Sequence, residues 1–277
     1  MSNPQIDVWN DTVGAAWSAN ADQYDAMLEP FGEAVIRALE VGAHQRVLDV
    51  GCGTGATTVR LAGVAASAVG VDLSAPMLTI ARQRSAAASA TNVQFVQSDL
   101  EASPPEGSFD VAFSRFGVMF FGDPVRAFTH LRTALVDGGR LGFVCFQAPP
   151  ANPFIIVPVM AAAAHLPIGA PPGPGEPSPF SLADPDRITS ILTSAGFASV
   201  SIEPGPASVT LGRADDIEHV ARRVLDQNPT VAAGLAMVTP DVQAAAVAST
   251  VTALSDHLAD GNITLAAGSW VVTATAG

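Results

Sequence analysis

The stretch Arg46-Val-Leu-Asp-Val-Gly-Cys-Gly-Thr-Gly-Ala56 constrains this chain more than any other. A short apolar run ends in an acid and three alternating glycines, and TTVRLAGVA then resumes helical spacing. That order reads as a strand, a glycine-rich turn and a helix, with backbone N–H groups exposed at the helix start. The unit recurs downstream. AVGVDL (68–73) is a strand, 76–89 a helix opened by Ser74 and Pro76, and NVQFVQSDL (92–100) a strand ending in Asp99. FDVAFSR (109–115) is the next strand, 123–135 a helix started by Asp123 and Pro124, and GRLGFVCFQ (139–147) the fifth strand. Continuous apolar strands separated by helix-length segments predict a parallel sheet covered on both faces.

Around this core the pattern is looser. Trp9, Val13, Trp17, Tyr24, Met27, Phe31, Val35 and Leu39 recur at helical spacing, which makes 1–42 an N-terminal helical cap before a core at 43–147. Residues 148–183 carry an apolar segment with helical potential and then a run dense in proline and glycine, read as a lid. LADPDRITSILTSAG is a capped helix leaving at Gly196, and ASVSIEP a strand. Residues 214–226 and 240–258 are helical, within a helical insertion at 204–262, and 263–275 is the closing strand. The whole, 1–277, is expected to act as one domain.

Composition narrows the partners. Thirteen basic residues, all Arg, face 26 acids, and a net charge of −13 disfavours a nucleic-acid substrate because no Arg cluster offsets it. The apolar segments 153–166 and 240–254 are interrupted and too short to span a bilayer, and the N-terminus lacks a signal-peptide pattern, so a cytoplasmic location without membrane insertion is expected. Cys52 and Cys145 have no disulfide or metal-ligand spacing and are read as reduced packing thiols, and no metal-ligand constellation recurs.

The glycine spacing alone leaves two cofactor classes open. Gly51-x-Gly53-x-x-Ala56 also satisfies a dinucleotide fingerprint, with Asp72 at the distance expected for a ribose-binding acid. Two further acids separate the readings. Asp49 stands where a dinucleotide fold wants room for pyrophosphate but is able to orient a cationic amino group, and Asp99 can accept from an adenine amine. A ligand with ribose, adenine and a cationic tail but no phosphate fits, and S-adenosylmethionine answers that description.

These segments, VLDVGCGTG (47–55), VGVDLSAPML (70–78), VQSDLEA (96–102), FDVAFSRFGVMFFGDP (109–124) and LRTALVDGGRLGFVCF (131–146), resemble the class I S-adenosylmethionine-dependent methyltransferases. The similarity is greatest to the small-molecule branch that includes quinone-biosynthesis C-methyltransferases. The resemblance implies a Rossmann-like α/β fold, a seven-stranded mostly parallel sheet with an antiparallel last strand, helices on both faces and a helical lid. It implies that Gly51, Gly53 and Gly55 contact the methionine portion of the cofactor, with Cys52 between them. Asp72 would hold the ribose, Leu73 and Met77 would lie against adenine, and Asp99 with Leu100 at its edge. Ser114 and Arg115 would border the transfer site, and Trp17 and Tyr24 would close over the cofactor.

Methyl transfer by in-line displacement gains rate from alignment and water exclusion, and a base is needed only for an acceptor such as a phenol or enol. Of the five histidines, His165 abuts the proline/glycine run and is the candidate base. Phe116, Met119, Phe120, Phe154 and Phe180 give the expected pocket an apolar lining, hence a largely hydrophobic small-molecule acceptor methylated on O, C or N. The competing readings are an NAD-dependent oxidoreductase and a non-catalytic binding module. The apolar helices at 1–40 and the alanine-rich 240–254 offer either a homodimer surface or a pocket wall.

Overall fold

In the computed structural model the described residues are 3–173 and 175–277; residues 1–2 and 174, which fall in the expected cap and lid, lie outside them. Three helices come first, α1 (Pro4–Asn10), α2 (Thr12–Ala19) and α3 (Ala21–Leu39). There follow β1 (Arg46–Val50), α4 (Ala56–Ala62), β2 (Ser67–Asp72), α5 (Ala75–Ala87), β3 (Val93–Gln97), β4 (Phe109–Arg115), α6 (Pro124–Ala134) and β5 (Leu135–Phe146). The remainder is α7 (Pro153–Ala163), α8 (Pro185–Ser194), β6 (Phe197–Pro204), β7 (Ser208–Arg213), α9 (Ile217–Asp226), α10 (Pro229–Ala236), α11 (Pro240–Ser255), β8 (Leu258–Ala259), β9 (Asn262–Ala266) and β10 (Ser269–Ala276).

Helix starts follow the capping residues. Ser74 Oγ accepts from Met77 N at 3.4 Å to begin α5, Asp123 accepts from Arg126 N at 3.1 Å to begin α6, and Asp184 accepts from Asp186 N at 2.9 Å to begin α8. Gly196 leaves α8 at φ +88°, a left-handed exit suited to glycine.

The chain forms two compact units. The first, 1–147 with 174–206 and 269–277, holds a seven-stranded sheet in the order β3-β2-β1-β4-β5-β10-β6. Strands β1 to β5 pair in parallel, and β10 runs antiparallel to both β5 and β6. Alternation along β5 assigns its two faces. Gly142 and Phe146 meet α3: Leu39 sits so close to Gly142 that a Cβ there would lie 2.7 Å from Leu39 Cγ, and the Phe31 and Phe146 rings are 6.3 Å apart. Phe143 points the other way, 5.6 Å from Phe128 of α6, which also meets Phe197 at the start of β6. Phe31, Phe113, Phe128, Phe143, Leu39 and Leu141 are fully buried in these two layers. Each such side chain stabilises by about 1.5–3 kcal/mol before entropy costs.

The second unit, 148–173 with 207–268, packs α7, α9, α10 and α11 with a small antiparallel sheet in the order β7-β9-β8. Here two expectations are corrected. The single closing strand at 263–275 is two strands: β9 pairs with β7 and β8, whereas β10 pairs with β5 and β6. Between them Ala267 N donates to Ala207 O at 2.9 Å and Gly268 N to Ala151 O at 2.8 Å, which ends the ladder. The insertion at 204–262 is likewise not wholly helical, because β7 buries Val209 and Leu211 on one face, the period of a strand.

Candidate active site

The strand order reverses between β1 and β4, since β2 and β3 continue to one side of β1 and β5 lies on the other side of β4. A crevice outside the carboxyl ends of these strands is where open α/β sheets bind ligands. The glycine loop after β1 and the turn after β4 meet there. Gly51, Gly53 and Gly55 have φ of +66°, +54° and +79°, conformations that a side chain disfavours. A Cβ on Gly51 would stand 2.7 Å from Gly117 Cα, and one on Gly117 would stand 2.8 Å from Gly51 Cα, so the two turns touch backbone to backbone. Ser114 Oγ ties them by donating to Val50 O at 2.7 Å. Phe116 takes a left-handed φ of +64°, held by its ring stacked 4.1 Å from Phe146 and edge-on to Phe31 at 5.3 Å.

Asp72, at the end of β2, is the anchor of the loop. Its Oδ2 accepts from Gly53 N at 2.7 Å and its Oδ1 from Ser74 N at 2.9 Å, so one carboxylate fixes the glycine loop against the start of α5. Burial raises its pKa, and the Ser74 and Gly53 amides oppose that shift. Gly51 N and Cys52 N both donate to Val71 O, at 2.9 and 3.1 Å. The Cys52 thiol packs where a side chain on Gly70 would stand, and burial, with the Asp72 and Asp49 charges, pushes it far from thiolate formation. Met77 lies over Gly53, its Cε 2.9 Å from where a Cβ would be.

Asp49 is buried on the floor of the loop, with Thr58 Oγ1 donating to its Oδ2 at 2.6 Å. Burial pushes its pKa up to about 7; the Thr58 hydroxyl and the Arg115 cation pull it down, and the Asp72 charge adds to the rise. The unfolded carboxyl titrates near about 3.9, so between about pH 4 and pH 7 the folded chain keeps a proton that the unfolded chain has lost. Stability therefore falls as pH rises through that window, and Asp49→Asn is expected to flatten the fall. Melting temperatures from about pH 5 to about pH 8 check this; a variant with the wild-type slope would mean that Asp49 is ionised in the fold.

Asp99 accepts from Glu101 N at 2.9 Å and from Asn3 Nδ2 at 3.3 Å, and Leu100, buried, presents its carbonyl to His130 Nδ1 at 2.7 Å. Asn10 reaches the same edge, donating to Leu73 O at 3.0 Å and accepting from Ala75 N at 2.9 Å. Trp17 and Tyr24 stack on each other at 3.7 Å, and Trp9 stands edge-on to Phe120 at 5.0 Å. Met119 is buried, and its carbonyl accepts from Ser181 Oγ at 2.5 Å. Phe180 is half-buried, its N–H donating to Ser178 Oγ at 3.3 Å. Arg115 pairs through Nη2 with Asp25 Oδ1 at 2.6 Å.

Phe154 and His165 belong to the second unit. His165 Nε2 lies 2.7 Å from Ser249 Oγ of α11. Asn3, Asn10, Asp25, Thr54, Thr58, Arg84 and Gly117 were absent from the sequence-based candidates. Asp25, Thr54 and Gly117 had a local signal, since they adjoin Tyr24, Gly53 and Phe116. Among the described residues no three His, Cys, Asp or Glu side chains are grouped to hold a metal, and no helix is long and apolar enough to cross a membrane.

Comparison with known proteins bears on the same region. A family described as "Methyltransferase domain" matches residues 47–139. A demethylmenaquinone methyltransferase of Thermus thermophilus is 41% identical over 127 residues, which make up 45% of this chain and 57% of that protein. A demethylmenaquinone methyltransferase of Deinococcus radiodurans is 30% identical over 174 residues, 58% of this chain and 71% of the relative. The chain belongs to the class I S-adenosylmethionine-dependent methyltransferases. In fold, this methyltransferase-family chain is similar to magnesium protoporphyrin IX methyltransferase of Synechocystis, solved with bound S-adenosylhomocysteine, at a TM-score of 0.54 and 17% identity over 73% of this chain and 91% of that one. The aligned stretch of the Thermus relative spans little more than half of that protein's length.

Proposed function

We propose that this protein binds S-adenosylmethionine and transfers its methyl group to an O, C or N atom of a largely hydrophobic small molecule. The observation that carries the reading is the set of three carboxylates, Asp49, Asp72 and Asp99, at the carboxyl ends of β1, β2 and β3 around one glycine loop. Carboxylate oxygens accept hydrogen bonds, so Asp72 and Asp99 suit ribose hydroxyls and an adenine amine, while an ammonium group bound beside Asp49 would favour the ionised form of a carboxyl that burial otherwise keeps protonated to about pH 7. The residues fit the cofactor on that ground. Asp72 and Asp99 would hold its adenosine portion, and Asp49 with the Gly51–Gly55 loop its cationic tail.

The bound cofactor would supply an electrophilic methyl group on a sulfonium. The chain's part is alignment and exclusion of water. Phe116 and Met119 are buried, and the half-buried Phe120 and Phe180 leave apolar surface, which supports an acceptor held by few polar contacts. The names of the Thermus and Deinococcus relatives make a demethylated quinone one member of the acceptor class to include in a screen.

Titration calorimetry with S-adenosylmethionine, S-adenosylhomocysteine and NAD tests the reading. Micromolar binding of both adenosyl ligands and silence toward NAD is the expected result. NAD binding with silence toward the other two would overturn it, and cofactor binding without turnover on a broad acceptor panel would leave a binding module instead of an enzyme.

A further inference from the structure

Side chains of three segments, α3, α5 and β4, meet at one carboxylate beside the glycine loop. Asp25, on α3, receives Arg84 Nη1 from α5 on its Oδ2 at 2.5 Å and Arg115 Nη2 from the end of β4 on its Oδ1 at 2.6 Å. The same Arg84 Nη1 donates to Thr54 Oγ1 at 2.8 Å and to Thr54 O at 3.3 Å, while Nη2 reaches Asp22 at 2.5 Å. The three central side chains are largely withdrawn from water, at 17% exposure for Asp25, 23% for Arg84 and 16% for Arg115. A charge pair so placed is screened less than a surface pair and holds a defined geometry.

Thr54 is the informative member. In the loop Gly51–Gly55 only Cys52 and Thr54 carry side chains, and Cys52 is turned into the packing against Gly70. Thr54, flanked by glycines with φ of +54° and +79°, is therefore the side chain by which a group outside the loop restrains it, beside the backbone hydrogen bonds to Asp72 and Val71. Glycines lose the most backbone freedom on ordering, so a loop built from them binds more tightly when another group has already fixed it.

We propose that Asp25 is a positioning residue which, by orienting Arg84 onto Thr54, holds the glycine loop in its ligand-binding conformation. The proposal rests on the reading above, that this loop is the cofactor's seat. Without Asp25, Arg84 keeps a partner in Asp22, whose side chain is 98% exposed, and swings outward toward solvent and away from Thr54. Asp25 acts through Arg84, so the two substitutions affect binding as one. Arg84→Met leaves the Asp25–Arg115 pair in place, which keeps α3 tied to β4.

The test measures S-adenosylhomocysteine affinity by calorimetry for wild type, Asp25→Asn, Arg84→Met, the double variant and Thr54→Val, with hydrogen exchange read at the Gly53–Gly55 amides. Each of Asp25→Asn and Arg84→Met is expected to weaken binding about tenfold, the double variant no more than either alone, and Thr54→Val by a smaller factor. Exchange should speed up at the loop and not in β1, β4 or β5. Glu33→Gln is the control, because the Glu33–Arg60 pair also ties α3 to α4 but does not touch the loop, and its affinity should stay at the wild-type value. Single variants with wild-type affinity, or a double variant weaker by the product of the two effects, would overturn the proposal while leaving the cofactor reading intact. Failure of the wild type to bind would overturn both. Thr54→Val keeps every ion pair, so a wild-type affinity in that variant together with unchanged loop exchange decides against the proposal even if Arg84→Met fails to fold.

Discussion

Asp72→Ala is expected to weaken S-adenosylhomocysteine binding by more than about a hundredfold, because the carboxylate does two jobs at once. It accepts the Gly53 and Ser74 amides at 2.7 and 2.9 Å, and its remaining lone pairs are the ribose acceptors of the proposed site. Hydrogen bonds to a charged group contribute about 1.5–3 kcal/mol each, and about 1.4 kcal/mol is a factor of ten in affinity. Losing the ribose acceptors alone accounts for much of the effect, and freeing Gly53 from the start of α5 accounts for the rest. Asp72→Asn, which retains one acceptor oxygen and the side-chain shape, should fall between alanine and wild type. Calorimetry on the three proteins decides it. Equal affinity in wild type and Asp72→Ala would mean that the carboxylate serves the fold only.

Gly51→Ala should lower the melting temperature strongly. Two costs add. A left-handed φ of +66° costs an alanine about 1–2 kcal/mol, and its Cβ would be forced against Gly117 Cα, where overpacking costs about 1–3 kcal/mol. At a few degrees per kcal/mol, the shift is about 5–15 °C. Gly117→Ala meets the same contact from the other side, with Val50 O also 2.8 Å from its Cβ. The double variant should cost less than the sum, because once the two turns have been pushed apart the second methyl finds the space already opened. Differential scanning calorimetry of the singles and the double checks both statements; full additivity would show that the turns yield independently.

The core from β1 to β5 was legible because its strands are short runs rich in apolar residues set between recognisable turns and helices, so local pattern and tertiary fold agree. The glycines and the three acids were legible for the same reason, each sitting at the end of a recognisable strand. The closing stretch was not. From Ile263 to Thr275 apolar residues run on with only Gly268 to mark a break, and hydropathy does not reveal that two segments join different sheets. The strand β7 was hidden because it closely follows Pro204-Gly205-Pro206 and is followed by helical segments. Asp25 and Arg84 escaped for another reason: 59 positions separate them, and each looks like an ordinary solvated charge until the fold brings them onto Thr54. Arg115 was marked as a candidate, but its partner was not visible.

The placing of β10 between β5 and β6 bears on the order in which the chain can be assembled as it leaves the ribosome. Among the described residues β6 pairs in the sheet with β10 alone, and about sixty residues of the second unit are synthesised between the two. Until Ser269–Ala276 emerges, β5 keeps an open edge and β6 has no strand to pair with. A nascent chain therefore carries exposed strand edges late into synthesis, the situation that favours pairing with a neighbouring chain. The strand that joins the two parts of the sheet is made only after the second unit, so termination just before it would leave a parallel five-stranded half with an open edge.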